Sequence, residues 1–336
     1  MKMAGGTMES MTKSKLSEEQ IRELAADAFG AGSGAAEIEE LTGGYFNAAY
    51  KVVLTDGRET ILKISPSDDA ETMTYERDIM RTEVEALKLA REKGLAPVPE
   101  VYAYNAGRRI VANNYFFMDK VRGIPFNEIR EGMSPEERAA VERQLGRYNR
   151  QINDVVGSRF GLYNDPLGRN PGTWREAFAG MIGDVLDDAV RLKAPMPIGR
   201  SEVERGIEEV LPALDEVKEP RLVHWDLWEG NVFVEDGKIT ALIDWERALW
   251  GDPLMEFHFR YIAEEQLRRV EGNDAFYEGY GSFCDSPNEL QRKKLYDLYL
   301  DLIYFVECFS RKYTSEEHLK WAHNQIREGW QRFSGR

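Results

Sequence analysis

His224-Trp225-Asp226-Leu227-Trp228-Glu229-Gly230-Asn231, followed by Ile243-Asp244-Trp245 and then Gly251-Asp252-Pro253, decides how this chain is read. The first stretch sets a carboxylate, Asp226, and an amide, Asn231, on one loop, so both side chains can turn into a single pocket. Val232-Phe233-Val234 then reads as a strand, Glu235-Asp236-Gly237-Lys238 carries an Asp-Gly turn signal, and Ile239 to Ile243 reads as the returning strand. A hairpin brings its two ends together, so Asp244 is predicted to arrive beside Asn231. Two oxygen ligands then converge, which suits a hard divalent cation that keeps most of its waters. Phosphoryl transfer needs these parts: a carboxylate to orient and deprotonate an acceptor hydroxyl, and an amide oxygen with a second carboxylate to hold Mg²⁺ against nucleotide phosphates. Asp226, Asn231 and Asp244 supply them in that order. An isolated H-x-D, or Asp and Asn near a turn, would signify only a local cap. The ordered set, with a hairpin between its halves, carries the reading.

Working upstream, Glu37 to Leu41 and Ala48 to Leu54 read as strands flanking Thr42-Gly43-Gly44-Tyr45-Phe46-Asn47. Gly43 and Gly44 would let the backbone approach phosphates closely, though a Gly-Gly pair also serves an ordinary hairpin turn. Thr60-Ile61-Leu62-Lys63-Ile64 is a strand with one lysine among apolar residues, which is either edge-exposed or functional. Tyr75 to Lys93 reads as a helix that stops at Gly94, with Pro97 beyond. On it Glu83 shares a face with Ala86, Leu87 and Ala90, the apolar and therefore inward face. Glu85 shares its face with Lys88 and Glu92, which reads as solvated. Glu83 is the expected carboxylate partner of Lys63.

With these motifs the chain resembles the aminoglycoside phosphotransferase and choline kinase-like superfamily, relatives of the protein kinases. Trp225 stands where the protein-kinase loop H-R-D has arginine. That departure is usual in the small-molecule branch and argues against a protein substrate. The resemblance covers roughly residues 37–260, and the remainder matches by helical character alone. It implies an α+β, two-lobed protein-kinase-like fold, with a small antiparallel-sheet lobe and a larger, mainly helical lobe. The implied divisions are a disordered start over 1–15, a nucleotide-binding lobe over 16–117, a hinge over 118–123, and a catalytic and substrate-binding lobe over 124–336. The implied roles are Asp226 as base, Asn231 and Asp244 as metal ligands, and Lys63 on the α- and β-phosphates. The Asp119 carbonyl and the Val121 amide would meet the adenine edge. Arg247 would sit near the terminal phosphates or else lie on the surface. Glu256 would brace the loop around His224. Mg²⁺ and ATP or GTP are the implied cofactor and donor.

Composition adds bounds. The chain has 336 residues and 42% hydrophobic content, and 44 basic against 59 acidic residues give a net charge of −15. Such a surface disfavours nucleic acid and anionic membranes and would suit a cationic small-molecule substrate. Two cysteines, Cys284 and Cys308, without a C-x-x-C indicate neither a disulfide scaffold nor a zinc site. No long apolar run marks a membrane span, and Met1 to Ser14 lacks the apolar core of a secretory signal, so a cytoplasmic monomer or homodimer is expected. Helical patterns lie at Ser17–Phe29, Pro135–Asp154, Trp174–Leu192, Ser201–Glu216, Pro253–Val270, Asn288–Ser310 and Ser315–Phe333. Trp174, Glu256, Glu264, Glu265, Tyr296, Asp297, Tyr299, Asp301, Tyr304 and Glu307 are candidates for the substrate pocket. The resemblance points to an aminoglycoside or other antibiotic as acceptor, with a metabolic kinase of the homoserine, choline, methylthioribose or fructosamine type as the alternative. A pseudokinase is the further alternative, disfavoured because Lys63, Asp226, Asn231 and Asp244 are all present.

Overall fold

The computed structural model describes residues 13–30, 32–41, 46–67, 69–259, 261–263, 267–269, 274–281 and 286–335. Gly43, Gly44, Glu264, Glu265 and most of the expected disordered start lie outside the described residues. The chain opens with α1 (Glu18–Phe29). Ser17 caps it: its Oγ accepts the Gln20 N–H while the Gln20 side chain accepts the Ser17 N–H. There follow β1 (Ala35–Leu41), β2 (Ala48–Leu54), β3 (Glu59–Ile64), α2 (Ile79–Lys93), β4 (Val101–Asn105) and β5 (Tyr115–Asp119). The five strands form one antiparallel sheet in the order β1-β2-β3-β5-β4.

Side-chain alternation gives this sheet two working faces. Leu62, Ile64, Tyr115 and Phe117 pack with Ile21, Leu24 and Ala25 of α1 in a separate small core. Phe116 and Met118 join a second core that includes Val84, Leu87 and Ala90 of α2 and runs on into the larger lobe. Lys63, the register partner of Phe116, belongs to this inner side. The helix expected over Tyr75–Lys93 is divided. Asp78 adopts a left-handed conformation (φ 59°), so a 3₁₀ turn over Thr74–Glu76 precedes α2. Gly94, also left-handed, closes α2 by donating to Ala90 and Arg91 carbonyls.

The larger lobe contains β6 (Ile124–Pro125), α3 (Phe126–Ile129), α4 (Pro135–Asn153), β7 (Gly161–Leu162), α5 (Trp174–Arg191) and α6 (Arg200–Val210). It continues with β8 (Arg221–Val223), β9 (Val232–Glu235), β10 (Lys238–Leu242), β11 (Leu249–Gly251), β12 (Tyr261–Ala263), β13 (Leu267–Arg269), α7 (Asp274–Tyr280), α8 (Pro287–Ser310) and α9 (Glu316–Ser334). Two expected helices are corrected. The pattern over Ser201–Glu216 stops as an α-helix at Val210, where Pro212 cannot donate, and finishes as 3₁₀. Pro253–Val270 is a 3₁₀ segment, Pro253–Phe259, followed by the β12–β13 ladder. There the Asp252 carboxylate takes the Leu254 N–H, and the Glu256 side chain is drawn under the loop at His224.

The two lobes are stitched together ahead of α2. Thr74 donates its N–H and hydroxyl to Asp188 of α5 at 2.6 and 2.9 Å. Arg191 donates to the Thr72 carbonyl at 2.7 Å, and buried Glu76 pairs with Arg311 at 3.0 Å.

Candidate active site

β8 delivers the loop His224–Asn231. The His224 Nε2–H donates to the Ile243 carbonyl at 3.0 Å, so Nδ1 is the acceptor that receives the Asp226 N–H at 3.2 Å. Burial pushes the imidazole down to about 4, which keeps it neutral, and the Ile243 carbonyl selects this tautomer. Beneath it, Glu256 accepts the backbone N–H groups of His224 and, at 3.1 Å, Trp225. Burial pushes the Glu256 carboxyl up to about 7, against those two N–H groups and the side chains of Asn153 and Asn149. Trp225 is held with φ 59°, a costly conformation for a bulky residue.

Asn231 donates its amide to the Asp226 carbonyl at 2.9 Å and reaches the carboxylate at 3.4 Å. That leaves the amide oxygen as its free ligand atom. β9 and β10 form the hairpin, with Asp236 and Gly237 both at positive φ, the requirement of the turn that an Asp-Gly pair signals. At its open end the Ile243 N–H donates to the Asn231 carbonyl at 3.0 Å. Asp244 therefore follows directly beside Asn231, in a left-handed conformation. Among the described residues no cluster of three or more His, Cys, Asp or Glu could hold a metal. Asn231 and Asp244 are thus a two-oxygen set, which fits magnesium, an ion that takes its other ligands from water and phosphate.

Across the cleft, Lys63 Nζ lies 2.5 Å from Glu83 Oε1 and 2.5 Å from Asp244 Oδ1. Glu83 is fully buried, on the inward face of α2. Burial lowers the lysine's proton affinity, but Asp244, Glu83 and Glu246 more than reverse this, and its pKa is raised. Burial raises that of Glu83, opposed by the ammonium. Glu85 instead pairs with Arg81 and accepts from Asn164 at 3.0 Å. The solvated face expected for Glu85 is therefore only partly solvated, because a loop of the larger lobe reaches it.

Two residues at this centre were not anticipated. Glu246, two after Asp244, accepts from Asn47 at 3.0 Å, which ties the end of the 42–47 loop to the Asp244 turn. Its carboxyl is raised by burial, with Lys63 opposing. The only available signal was a second acidic residue in Asp244-Trp245-Glu246.

At the end of β5, Asp119 donates its N–H to the Glu100 carbonyl at 2.9 Å, and its carboxylate accepts from the Glu100 N–H and the Tyr102 hydroxyl. The side chain is committed to β4. Two residues on, the Val121 N–H has no protein acceptor among the described residues. Arg247 is not on the surface. Its side chain is 10% exposed, with the guanidinium 5.8 Å from the Tyr75 ring and 5.9 Å from the Trp225 ring. The expected pocket candidates are largely used internally. Trp174 donates to Tyr296, which donates to Asp252; Asp297 pairs with Lys293, Asp301 with Arg332 and Glu307 with Arg311. Tyr299 stacks on Trp225 at 5.3 Å.

A sheet lobe that points a lysine at a buried helix carboxylate and at a loop carboxylate of a helical lobe defines a kinase-like phosphotransferase fold. The chain belongs to the phosphotransferase enzyme family, whose model matches residues 37–283. Among solved structures, a thermostable mutant of aminoglycoside phosphotransferase APH(4)-Ia, in ternary complex with AMP-PNP and hygromycin B, superposes with a TM-score of 0.63 at 20% identity, covering 94% of this chain and 100% of that one. A putative fructosamine-3-kinase from Thermobifida fusca gives 0.62 at 22% identity, covering 93% and 99%. The curated relatives include hygromycin-B 4-O-kinase of Escherichia coli, 30% identical over 115 residues, 32% of this chain. Another is acyl-CoA dehydrogenase family member 10 of Mus musculus, 23% identical over 239 residues, 69% of this chain. The matched segments span 31% and 21% of those two proteins. No helix among the described residues is long and apolar enough to cross a membrane.

Proposed function

We propose that this chain is a small-molecule O-phosphotransferase that moves the γ-phosphate of ATP, or GTP, to a substrate hydroxyl. The observation that carries this reading is the contact of Lys63 with both Glu83 and Asp244, made within one cleft with Asp226 and Asn231. Lys63 would hold the α- and β-phosphates, oriented by Glu83, and the Val121 N–H and Asp119 carbonyl would meet the adenine edge. Asn231 and Asp244 would hold Mg²⁺, which when bound neutralises charge on the phosphates. Asp226 orients the acceptor hydroxyl and takes its proton as the oxygen attacks the γ-phosphorus; the bond from that phosphorus to the β-bridging oxygen breaks and the nucleoside diphosphate leaves. Neutral His224, with Glu256 behind it, keeps the Asp226 backbone in place.

Two acceptor classes are consistent with the family: aminoglycoside-type antibiotics and hydroxylated metabolites. A polycation requires uncompensated carboxylates. The pairing of Asp297, Asp301 and Glu307 with Lys293, Arg332 and Arg311 favours the metabolite. A cytoplasmic location, where nucleotide is available, belongs to this reading. The test is incubation with labelled ATP and GTP, with and without Mg²⁺, against a panel of antibiotics, sugars, amino alcohols and hydroxy acids. Failure to bind nucleotide, or label transfer that survives Asp226→Asn, would overturn it.

A further inference from the structure

The Arg247 guanidinium is nearly enclosed, yet among the described residues it makes a single long hydrogen bond, 3.5 Å to Glu307. Glu307 makes its closer contact with Arg311, at 2.9 Å, and Arg311 also pairs with Glu76. These four charges cancel as a set but leave most of the five Arg247 N–H donors uncommitted. The guanidinium lies over the Tyr75 ring at 5.8 Å and the Trp225 ring at 5.9 Å, and the Tyr75 hydroxyl, on a residue 8% exposed, is buried with no hydrogen-bond partner among the described residues. A buried donor left unsatisfied is costly, and here it adjoins an arginine that is also under-used. Asp226 lies within Coulombic range of Arg247, but the two do not form an ion pair. Near the base, a cation with uncommitted donors and an unsatisfied buried hydroxyl therefore stand side by side.

We propose that Arg247, with the Tyr75 hydroxyl beside it, binds a carboxylate on the acceptor substrate, close to the hydroxyl that Asp226 deprotonates. A planar guanidinium matches a carboxylate through two parallel N–H bonds. This rests on the phosphotransferase reading and narrows it to hydroxy acids. The same oxyanion chemistry could come from the γ-phosphate of the donor. The acceptor is favoured because Lys63 and Asp244 already face the donor, whereas Arg247 is braced by Glu307 of α8.

The test pairs hydroxy acids with their amides: D-glycerate, L-homoserine and 3-hydroxybutyrate against the corresponding carboxamides, with Mg-ATP and the full chain. The acids are expected to exceed their amides in kcat/KM by about 10–100-fold, the value of charge-assisted hydrogen bonds. Arg247→Gln should erase that preference, raising the acceptor KM at least tenfold more than the nucleotide KM. Tyr75→Phe, which preserves the ring, should erode it by a smaller factor. Amides that match or exceed the acids in wild type would overturn the proposal without touching the phosphotransferase reading. An Arg247→Gln effect concentrated on the nucleotide KM would overturn it in favour of the γ-phosphate. A wild-type chain that neither binds nor hydrolyses Mg-ATP would sink both readings together.

Discussion

The Lys63 ammonium lies 2.5 Å from the Asp244 carboxylate, an ion pair closed between β3 of the smaller lobe and the turn after β10 of the larger one. The same carboxylate is the one proposed to hold magnesium, so nucleotide binding must redistribute this contact. Asp244→Ala is expected to abolish the Mg²⁺-dependent part of nucleotide affinity. Calorimetric titration with ATP, in Mg²⁺ and in EDTA, measures it. Equal Mg²⁺ dependence in variant and wild type would move the metal site elsewhere.

Removing the lysine has a structural consequence of its own. Glu83 is fully buried and its second carboxylate oxygen has no partner among the described residues. Without the ammonium it becomes an isolated buried charge, a situation that costs about 3–5 kcal/mol when one partner of a buried pair is deleted. Lys63→Met should therefore lower stability to urea by about that amount, and Lys63→Met with Glu83→Gln should recover at least half. A double variant as unstable as the single would mean that the lysine acts mainly through Asp244.

Some of this site was legible in the chain and some was not, for physical reasons. Asn231 and Asp244 were brought together by strand alternation and an Asp-Gly turn, both local rules. Glu83 was separated from Glu85 by helix phase, again local. Arg247 was ambiguous because its burial depends on Tyr75, from the turn before α2, and on Glu307, from α8. The Asn47–Glu246 bond joins segments 199 residues apart and leaves no periodic trace. The segment after Pro253 carries a helical pattern of apolar residues. Tertiary demands on Asp252 and Glu256 override it, and the backbone takes 3₁₀ and strand instead.

Asp226 links activity to stability through pH. Burial is the main cause that pushes its carboxyl from 3.8 up to about 7, with Arg247 opposing. As a base it must be ionised, so kcat/KM for the acceptor should rise with pH and level off above about 7. Stability runs the other way. The folded-state value lies above the unfolded one, so the fold favours the neutral acid, and the carboxyl's contribution declines as pH rises from about 4 to about 7. Asp226→Asn should cut turnover by roughly 10²–10⁴-fold. It should also raise Tm, by more at pH 8 than at pH 5.5. A Tm gain that is the same at both pH values would contradict the raised pKa.

Glu83 and Glu85 stand two apart on α2, so their side chains point about 200° apart around the helix. Glu83 meets Lys63 in the buried interior. Glu85 lies at the boundary, where it pairs with exposed Arg81 and accepts from Asn164 of the larger lobe. Glu83→Gln keeps the shape and removes the charge. The ammonium is then less firmly oriented toward the phosphates, and the expected result is a raised nucleotide KM together with lower turnover. Glu85→Gln loses an exposed ion pair and keeps an amide oxygen that can still accept from Asn164. Its effect on stability should stay within about 0.5 kcal/mol, with nucleotide KM within about twofold. Steady-state kinetics of both variants with Mg-ATP decide the matter. If Glu85→Gln were the damaging change, the charge of Glu85 at the α2 boundary would govern the cleft, and the Lys63–Glu83 pair would be a structural contact only.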